Sequence, residues 1–428
     1  MCSTQRLLLP VLLLGLAVVV HAAQAADWPQ WRGPDRTGRV PPGERVPNVL
    51  PSEPKIAWRM RIGEGLASPV VADGKVFYCD NTAGKETLHC IDATTTKEHW
   101  RAAIDEPFSD LQGPTGPRCT PMVEGDRVYA VSCKGELQCR SVADGHLLWR
   151  TNYTNDFGAI FIGEKGSAPG AARHGNNGTP LIDGAHLIAC VGGTNGAGVV
   201  CFDKRTGQVM WKAQNDQAAY APPVVATLAG VTQVVCFTCD GVIGLRRDNG
   251  ELLWRVPVKT SFARHVTNPI IHDDLVVVSS HQVGLIATKI TRDGPGLKAE
   301  RAWLSKEAAM NFASPVAVGN HLYGLGPAKN IVCVEISSGK LLWSKDGYFT
   351  TSADKAHAAF VVMDKNILML TDGGELVLFA ADPSAFKEIN RAQVCGLNWS
   401  NPAYAGGRLY LRDGIKGPGD LLCVRLLD

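Results

Sequence analysis

The sequence predicts an all-β protein, an eight-bladed β-propeller whose blades are four-stranded antiparallel meanders. Three observations predict it. Tryptophan recurs at Trp58, Trp100, Trp149, Trp211, Trp254, Trp303 and Trp343, with gaps of 42, 49, 62, 43, 49 and 40 residues. Most of these Trp residues close a Gly-x-x-x-Trp phrase, as in Gly145–Trp149, Gly207–Trp211, Gly250–Trp254 and Gly339–Trp343. A small or polar residue followed by Pro opens an apolar run once per period, at Ser68-Pro69, Thr120-Pro121, Thr179-Pro180, Ala221-Pro222, Asn268-Pro269, Ser314-Pro315 and Asn401-Pro402. A self-similar period of 40–50 residues signals a repeat architecture, and short alternating runs between Gly turns make the unit a β-meander.

The 428 residues begin with a secretory signal peptide over 1–25. Arg6 supplies the positive start, Leu7 to Val20 is an apolar run broken only by Pro10 and Gly15, and Ala23-Gln24-Ala25 is a small-x-small cleavage site. The mature chain is therefore expected to start at Ala26, to be exported as a soluble periplasmic or extracellular protein, and to carry no membrane span. Residues 26–55 read as an extended N-terminal segment, which Trp28 and Trp31 suggest docks on the ring.

Residues 56–428 form the propeller. The unit reads strand, turn (Asp73-Gly74, Gly125-Asp126, Asp183-Gly184), second strand, third strand, Gly turn and Trp strand. A single thin sheet of this kind cannot bury both faces, and stacking copies radially solves that. One buried indole covers roughly 200 Å², about 5 kcal/mol gross at ~25 cal/mol/Å², so a Trp at one place per unit suits a wedge between blades. The ends of the chain complete the count. Ile56 to Arg59 is a Trp strand with no blade ahead of it, and Cys423 lies in a third strand with no Trp after it, so the first strand is expected to finish the last sheet. Between Trp343 and Cys423 one further unit fits, with Ala358–Met363 as its first strand and Phe386 in the Trp place. The result is eight blades of about 47 residues.

Composition excludes several classes. Hydrophobic residues at 45% and charged residues at 20% support a buried core and exclude a disordered chain. With 43 Lys plus Arg against 41 Asp plus Glu, no strong field exists to hold nucleic acid. Twelve cysteines remain after Cys2 is removed with the leader. Cys90, Cys139, Cys201 and Cys333 each lie ten residues before a Trp and read as small apolar residues of the third strand. Cys79/Cys90, Cys133/Cys139 and Cys190/Cys201 stay open as hairpin disulfides. Cys236-x-x-Cys239 sits in a strand-like run without the helix start or second pair that redox or zinc chemistry would want. No C-x-x-C-H and no G-x-S-x-G occurs.

The phrases Asp203–Trp211, Ser141–Trp149 and Glu335–Trp343 resemble the tryptophan-docking repeat of the pyrroloquinoline quinone (PQQ) propeller superfamily, and the resemblance covers nearly all of 56–428. The opening Asp27–Gly38 is similar to the start of many exported bacterial proteins with these repeats. The resemblance implies two alternatives. In the quinoprotein dehydrogenases, PQQ sits on the axis with Ca²⁺, a catalytic Asp and often a disulfide between adjacent cysteines. This chain has no adjacent Cys pair and little length for capping loops, and Asp216, Asp354 and Asp372 cannot be ranked as a base. The BamB-like branch implies a binding scaffold of eight blades. BamB itself is a lipoprotein, and this chain has no Cys at the cleavage point. The expectation is a non-enzymatic scaffold with no cofactor, binding a protein or carbohydrate partner of the cell envelope; the alternative is a PQQ- and Ca²⁺-dependent oxidoreductase acting on an alcohol or sugar.

The loops entering the first strands crowd the axis on one face of a propeller. Polar residues in them form a candidate ligand rim: Arg118, Arg173, His174, Asn177, Arg264, His265, Asn268, Asn311, His357 and Asn398. Arg and His donors converging there would suit a carboxylate, a sugar or a peptide segment. No catalytic residue and no metal ligand is assigned.

Overall fold

A computed structural model describes residues 27–350 and 356–427. The signal peptide expected over residues 1–25 and Asp354 lie outside the described residues. The described chain contains eight four-stranded antiparallel sheets. Seven are consecutive meanders, at 70–105 (blade 1), 122–152 (blade 2), 181–213 (blade 3), 224–257 (blade 4), 270–305 (blade 5), 316–345 (blade 6) and 358–393 (blade 7). Blade 8 combines three strands of 403–425 with the strand Lys55–Ile62. Trp58 pairs with Cys423 in that sheet, so the ring closes through backbone hydrogen bonds and leaves no open seam.

The first strand of each blade is the innermost, and the first strands of blades 8 and 1, 1 and 2, and 6 and 7 touch. Being an edge strand, it tolerates the Pro that opens it, because that position has no ladder partner to donate to. The residue before the Pro explains the Ser/Thr/Asn preference. Asn401 N–H donates to Ser68 Oγ (2.9 Å), Ser68 N–H to Thr120 Oγ1 (3.3 Å), Thr179 Oγ1 to the Thr120 carbonyl (3.4 Å) and Asn268 N–H to Ser314 Oγ (3.0 Å). These short polar side chains stitch blade to blade around the axis.

The Trp strand is the outermost. In blades 1, 2, 3, 6 and 8 the Trp faces a Cys across the ladder, at a bulge where the register shifts (Cys90–Trp100, Cys139–Trp149, Cys201–Trp211, Cys333–Trp343, Cys423–Trp58). Each of these indoles donates its N–H to a carbonyl of the next blade: Trp58 to Ala93, Trp100 to Val142, Trp149 to Lys204 and Trp211 to Arg247, followed by Trp303 to Ile336 and Trp343 to Asp382, all at 2.8–3.2 Å. The glycine of the next blade's Gly-x-x-x-Trp lies flat on that ring. A Cβ at Gly145, Gly207, Gly250 or Gly339 would fall 2.4–2.7 Å from the indole of Trp100, Trp149, Trp211 or Trp303. The phrase therefore encodes two junctions, its Trp reaching forward and its Gly receiving the Trp from behind. Trp254 departs from the pattern. Blade 5 ends in a hairpin of two ten-residue strands with no Gly turn over the ring, and Trp254 donates instead to Gln233 of its own blade.

Blade 7 requires a correction. The residue at its bulge, opposite Leu378, is Asn390 rather than Phe386. Phe386 lies just before the strand and packs edge-on against Trp343, 5.7 Å between ring centres. Asn390 meets the N-terminal segment: it accepts from Leu50 N–H (3.0 Å) and donates to the Leu50 carbonyl (2.8 Å). Val40 and Leu50 are buried in one core with blades 7 and 8, and Val46 packs on it. At the junction that has no Trp, the chain's own start supplies the wedge.

That segment also fills one end of the axial channel. Trp28 exchanges both backbone hydrogen bonds with Val71 of blade 1, the Pro29 carbonyl accepts from Val123 of blade 2, and Gly38 and Val40 bridge to Val362 of blade 7. Arg36 donates to carbonyls of Thr179, Pro180 and Pro223, and Arg32 to those of Ser314 and Pro315. Both guanidiniums are buried, which pushes their pKa down to about 9 for Arg36 and about 10 for Arg32. Inward-facing carbonyls of the ring satisfy them in place of carboxylates.

The cysteines do not pair as the hairpin reading allowed. Cys79 faces Leu88, Cys90 faces Phe77, Cys190 faces Val199, Cys201 faces Ile188 and Cys139 faces Tyr129, and all twelve thiols are free. Among the described residues no helix is long and apolar enough to cross a membrane.

The glycine contacts predict a graded response. Gly339→Ala should lower the unfolding free energy by at least ~2 kcal/mol more than Gly74→Ala, through overpacking of Trp303. Gly74 has a similar positive φ (69° against 73°) but open space around it, so its replacement should cost about 1–2 kcal/mol for the left-handed backbone alone. Urea denaturation of the two variants checks this.

Candidate functional site

The channel end opposite the plug opens as a funnel with a cavity of about 190 Å³. Its wall follows one rule. The residue three positions before the Pro nearest each first strand faces it: Leu66, Arg118, Asn177, Tyr220, Val266, Phe312 and Trp399, for Pro69, Pro121, Pro180, Pro223, Pro269, Pro315 and Pro402. Blade 7 has no such Pro and contributes His357. Trp31 of the plug completes the lining and donates its indole N–H to Asn268 (3.0 Å).

Of the ten rim residues expected from sequence, Arg118, His174, Asn177, Arg264 and His357 line this cavity. Asn268 lies behind it, holding Trp31 and Ser314. The others are placed elsewhere. Arg173 turns outward, over the Phe262 ring (4.6 Å) and onto the Gly166 carbonyl. His265 is fully buried and stacked on Phe237; it donates from Nδ1 to the Thr238 carbonyl (2.6 Å), and burial pushes its pKa down to about 4. Asn398 donates to the Thr371 carbonyl, and Asn311 is not in the cavity wall.

Two loops fix the positive side. In 106–117, Asp110 forms a turn by accepting from Gln112 and Gly113 N–H through Oδ1. Its Oδ2 accepts from Arg118 Nη1 and from His174 Nδ1, both at 2.8 Å. His174 arrives on the short helix Gly170–His174 at the end of the long insertion, and its carbonyl accepts from Arg118 (2.7 Å). Phe108 packs under the Arg118 guanidinium (5.4 Å) and edge-on to Phe161 (4.9 Å), joining the two loops. Burial raises the Asp110 pKa, but the bonds from His174 and Arg118 overcome it and hold the carboxyl well below its ordinary range.

Several polar atoms in the wall have no partner: Arg118 Nε and Nη2, His174 Nε2, Asn177 Oδ1 and His357 Nδ1. His174 and His357 are buried and the Arg118 side chain is 7% exposed, so the funnel is the space from which these atoms can be satisfied. Burial pushes His357 down to about 4, so it faces the cavity neutral. Opposite them, Phe312 and Trp399 stack at 6.1 Å between ring centres.

Asp110, Glu164 and His174 are the acidic and His groups among the described residues close enough to gather a metal ion. They do not fit one. Asp110 spends both oxygens on internal donors, Glu164 accepts from Leu111 N–H, and the Arg118 cation sits on the same carboxylate. Asp216, weighed as a base, is locked to Arg255 and Thr238, and Asp372 accepts from Thr350 N–H.

A family model described as outer membrane protein assembly factor BamB matches residues 44–167 and 165–345, most of the chain. The chain belongs to this BamB family. Curated relatives are the outer membrane protein assembly factor BamB of Yersinia pestis, 24% identical over 56% of this chain and 55% of its own length, and that of Moranella endobia, 22% identical over 60% of this chain and 63% of its own. The chain thus matches less than two thirds of the length of these relatives. Among solved structures, BamB from Moraxella catarrhalis superposes with a TM-score of 0.57 at 13% identity, covering 87% of this chain and 97% of that one. The computationally designed Ika8 protein superposes with a TM-score of 0.56 at 10% identity, covering 85% of this chain and 96% of that one. These likenesses show the fold.

Removing the central charge should unsettle the rim. Asp110→Asn leaves Arg118 without its counter-charge, so we expect a loss of about 3 kcal/mol at pH 7. The wild-type carboxyl has a depressed folded pKa, so its contribution is full above the ordinary value of 3.8 and fades as pH falls below it. The gap between variant and wild type should therefore narrow from pH 4 downward, which denaturation at pH 7 and pH 3 would show.

Proposed function

We propose that the protein is an exported, non-enzymatic scaffold of the cell envelope that holds a protein or carbohydrate partner at the mouth of its propeller. The single observation that supports this most is the funnel: a rigid plug at one end, and at the other a wall of aromatic faces and buried donors with nothing to bond. Such a wall recognises a ligand. The groups beside it are poorly suited to chemistry. Asp110 is held as an anion by two fixed donors, so it neither takes nor gives a proton near neutrality. Burial raises the thiols of Cys119 and Cys133, keeping them protonated and inert. Membership of the BamB family supports an envelope role.

The test is direct. Purified mature chain is titrated with unfolded outer-membrane β-barrel protein and with envelope glycans, and separately mixed with PQQ, Ca²⁺ and a redox dye over a panel of alcohols and sugars. Saturable binding to one partner without dye reduction is expected. Substrate-dependent dye reduction that disappears when Arg118 is replaced would overturn the reading in favour of an oxidoreductase.

A further inference from the structure

We infer that the axial funnel is a binding site for a uronic acid, a single acidic sugar ring presented at a glycan end. The inference rests on the scaffold reading and narrows its partner to an anionic carbohydrate. Size is the first argument. A water needs about 10–15 Å³ of such space, so 190 Å³ has room for roughly 13 to 19 small groups, enough for the heavy atoms of one hexuronate and too few for two. Charge is the second. Arg118 is balanced by Asp110, whereas Arg264, half-buried in the wall, makes no ion pair among the described residues. One uncompensated guanidinium in a partly dry site calls for one carboxylate, which it can grip with two parallel bonds.

Hydrogen-bond chemistry is the third. The wall presents unpartnered donors on Arg118 together with the unpartnered acceptor Asn177 Oδ1. His174 Nε2 is likewise unpartnered, and an imidazole nitrogen accepts or donates according to the protonation of the ring. An aromatic acid without hydroxyl or N–H groups offers no donor for Asn177 Oδ1. Sugar hydroxyls both donate and accept, so they satisfy both kinds of group. The stacked pair Phe312 and Trp399 supplies the apolar face against which the C–H side of a pyranose packs. Arg264 is then a binding residue for the carboxylate, and His174 and Asn177 for ring hydroxyls.

The experiment is isothermal titration of the mature full-length chain with glucuronate, galacturonate, glucose and trialanine, the last carrying a carboxylate on a peptide. One uronate should bind saturably, with glucose and trialanine at least tenfold weaker. Arg264→Gln should weaken uronate at least tenfold and leave glucose unchanged, while Arg264→Lys, which keeps the charge, should recover part of the loss. Circular dichroism and thermal unfolding check that both variants fold. Equal binding of glucose, preference for the peptide, no binding of either uronate, or uronate binding indifferent to Arg264→Gln would each overturn the inference. Dye reduction with PQQ would sink the scaffold reading alone, because the uronate titration is read without any turnover.

Discussion

An indole laid between two blades, with its N–H on a carbonyl of the next, is the contact on which the ring depends. A four-stranded blade is too thin to bury its own faces, so its stability is shared with its neighbours. The indole supplies both parts of a junction. Its ring covers apolar area, and its one polar group is satisfied across the gap, so nothing buried is left unpaired. The opposing surface must be flat, which is why Gly145, Gly207, Gly250 and Gly339 lie on indoles that leave no space for a methyl group. Two junctions are built differently: blade 4 keeps its Trp but turns the N–H inward, and blade 7 has no Trp.

The second exception gives the N-terminal segment its role. A free peptide of this length would lose much entropy on ordering, yet the segment bonds to strands of most blades. It wedges blade 7 through Leu50 and Asn390, and it carries two buried guanidiniums to carbonyls that point at the axis. Each Arg repairs a polar deficit that the innermost strands create by having no neighbour on their inner side. Closing one end turns a through-channel into a blind funnel, and Trp31 joins its wall. The same segment thus completes the ring and shapes the site.

Periodicity made the architecture legible because one physical problem, joining thin sheets, is solved the same way many times. The Trp spacing, the ring closure by Trp58 and the eight sheets all follow from it. Phe386 misled because the blade-7 wedge comes from elsewhere in the chain, and local spacing carries no trace of a partner 340 residues away. The cysteine hairpins misled because the register of the second and third strands sets Cys79 opposite Leu88 and Cys201 opposite Ile188, two residues away from the other cysteine in each case. In the site, Arg118, His174, Asn177, Arg264 and His357 were legible as polar residues in entry loops. His265 looks identical by that criterion but turns into the core to reach the Thr238 carbonyl. The aromatic half of the funnel, Tyr220, Phe312 and Trp399, went unread although its signal was present: each lies three residues before a Pro beside an inner strand.

The central claim is that the segment over residues 27–50 is an integral part of the wheel. Hydrogen exchange of the intact protein, resolved to single amides, tests it most directly. Gly38, Val40 and Leu50 donate to the Arg32 carbonyl, the Val362 carbonyl and Asn390, respectively. The account predicts that these three amides exchange as slowly as those of the innermost strands, opening only when the ring unfolds. Exchange at the rate of a free peptide, with the inner strands still protected, would show a propeller that stands without its plug and would contradict it.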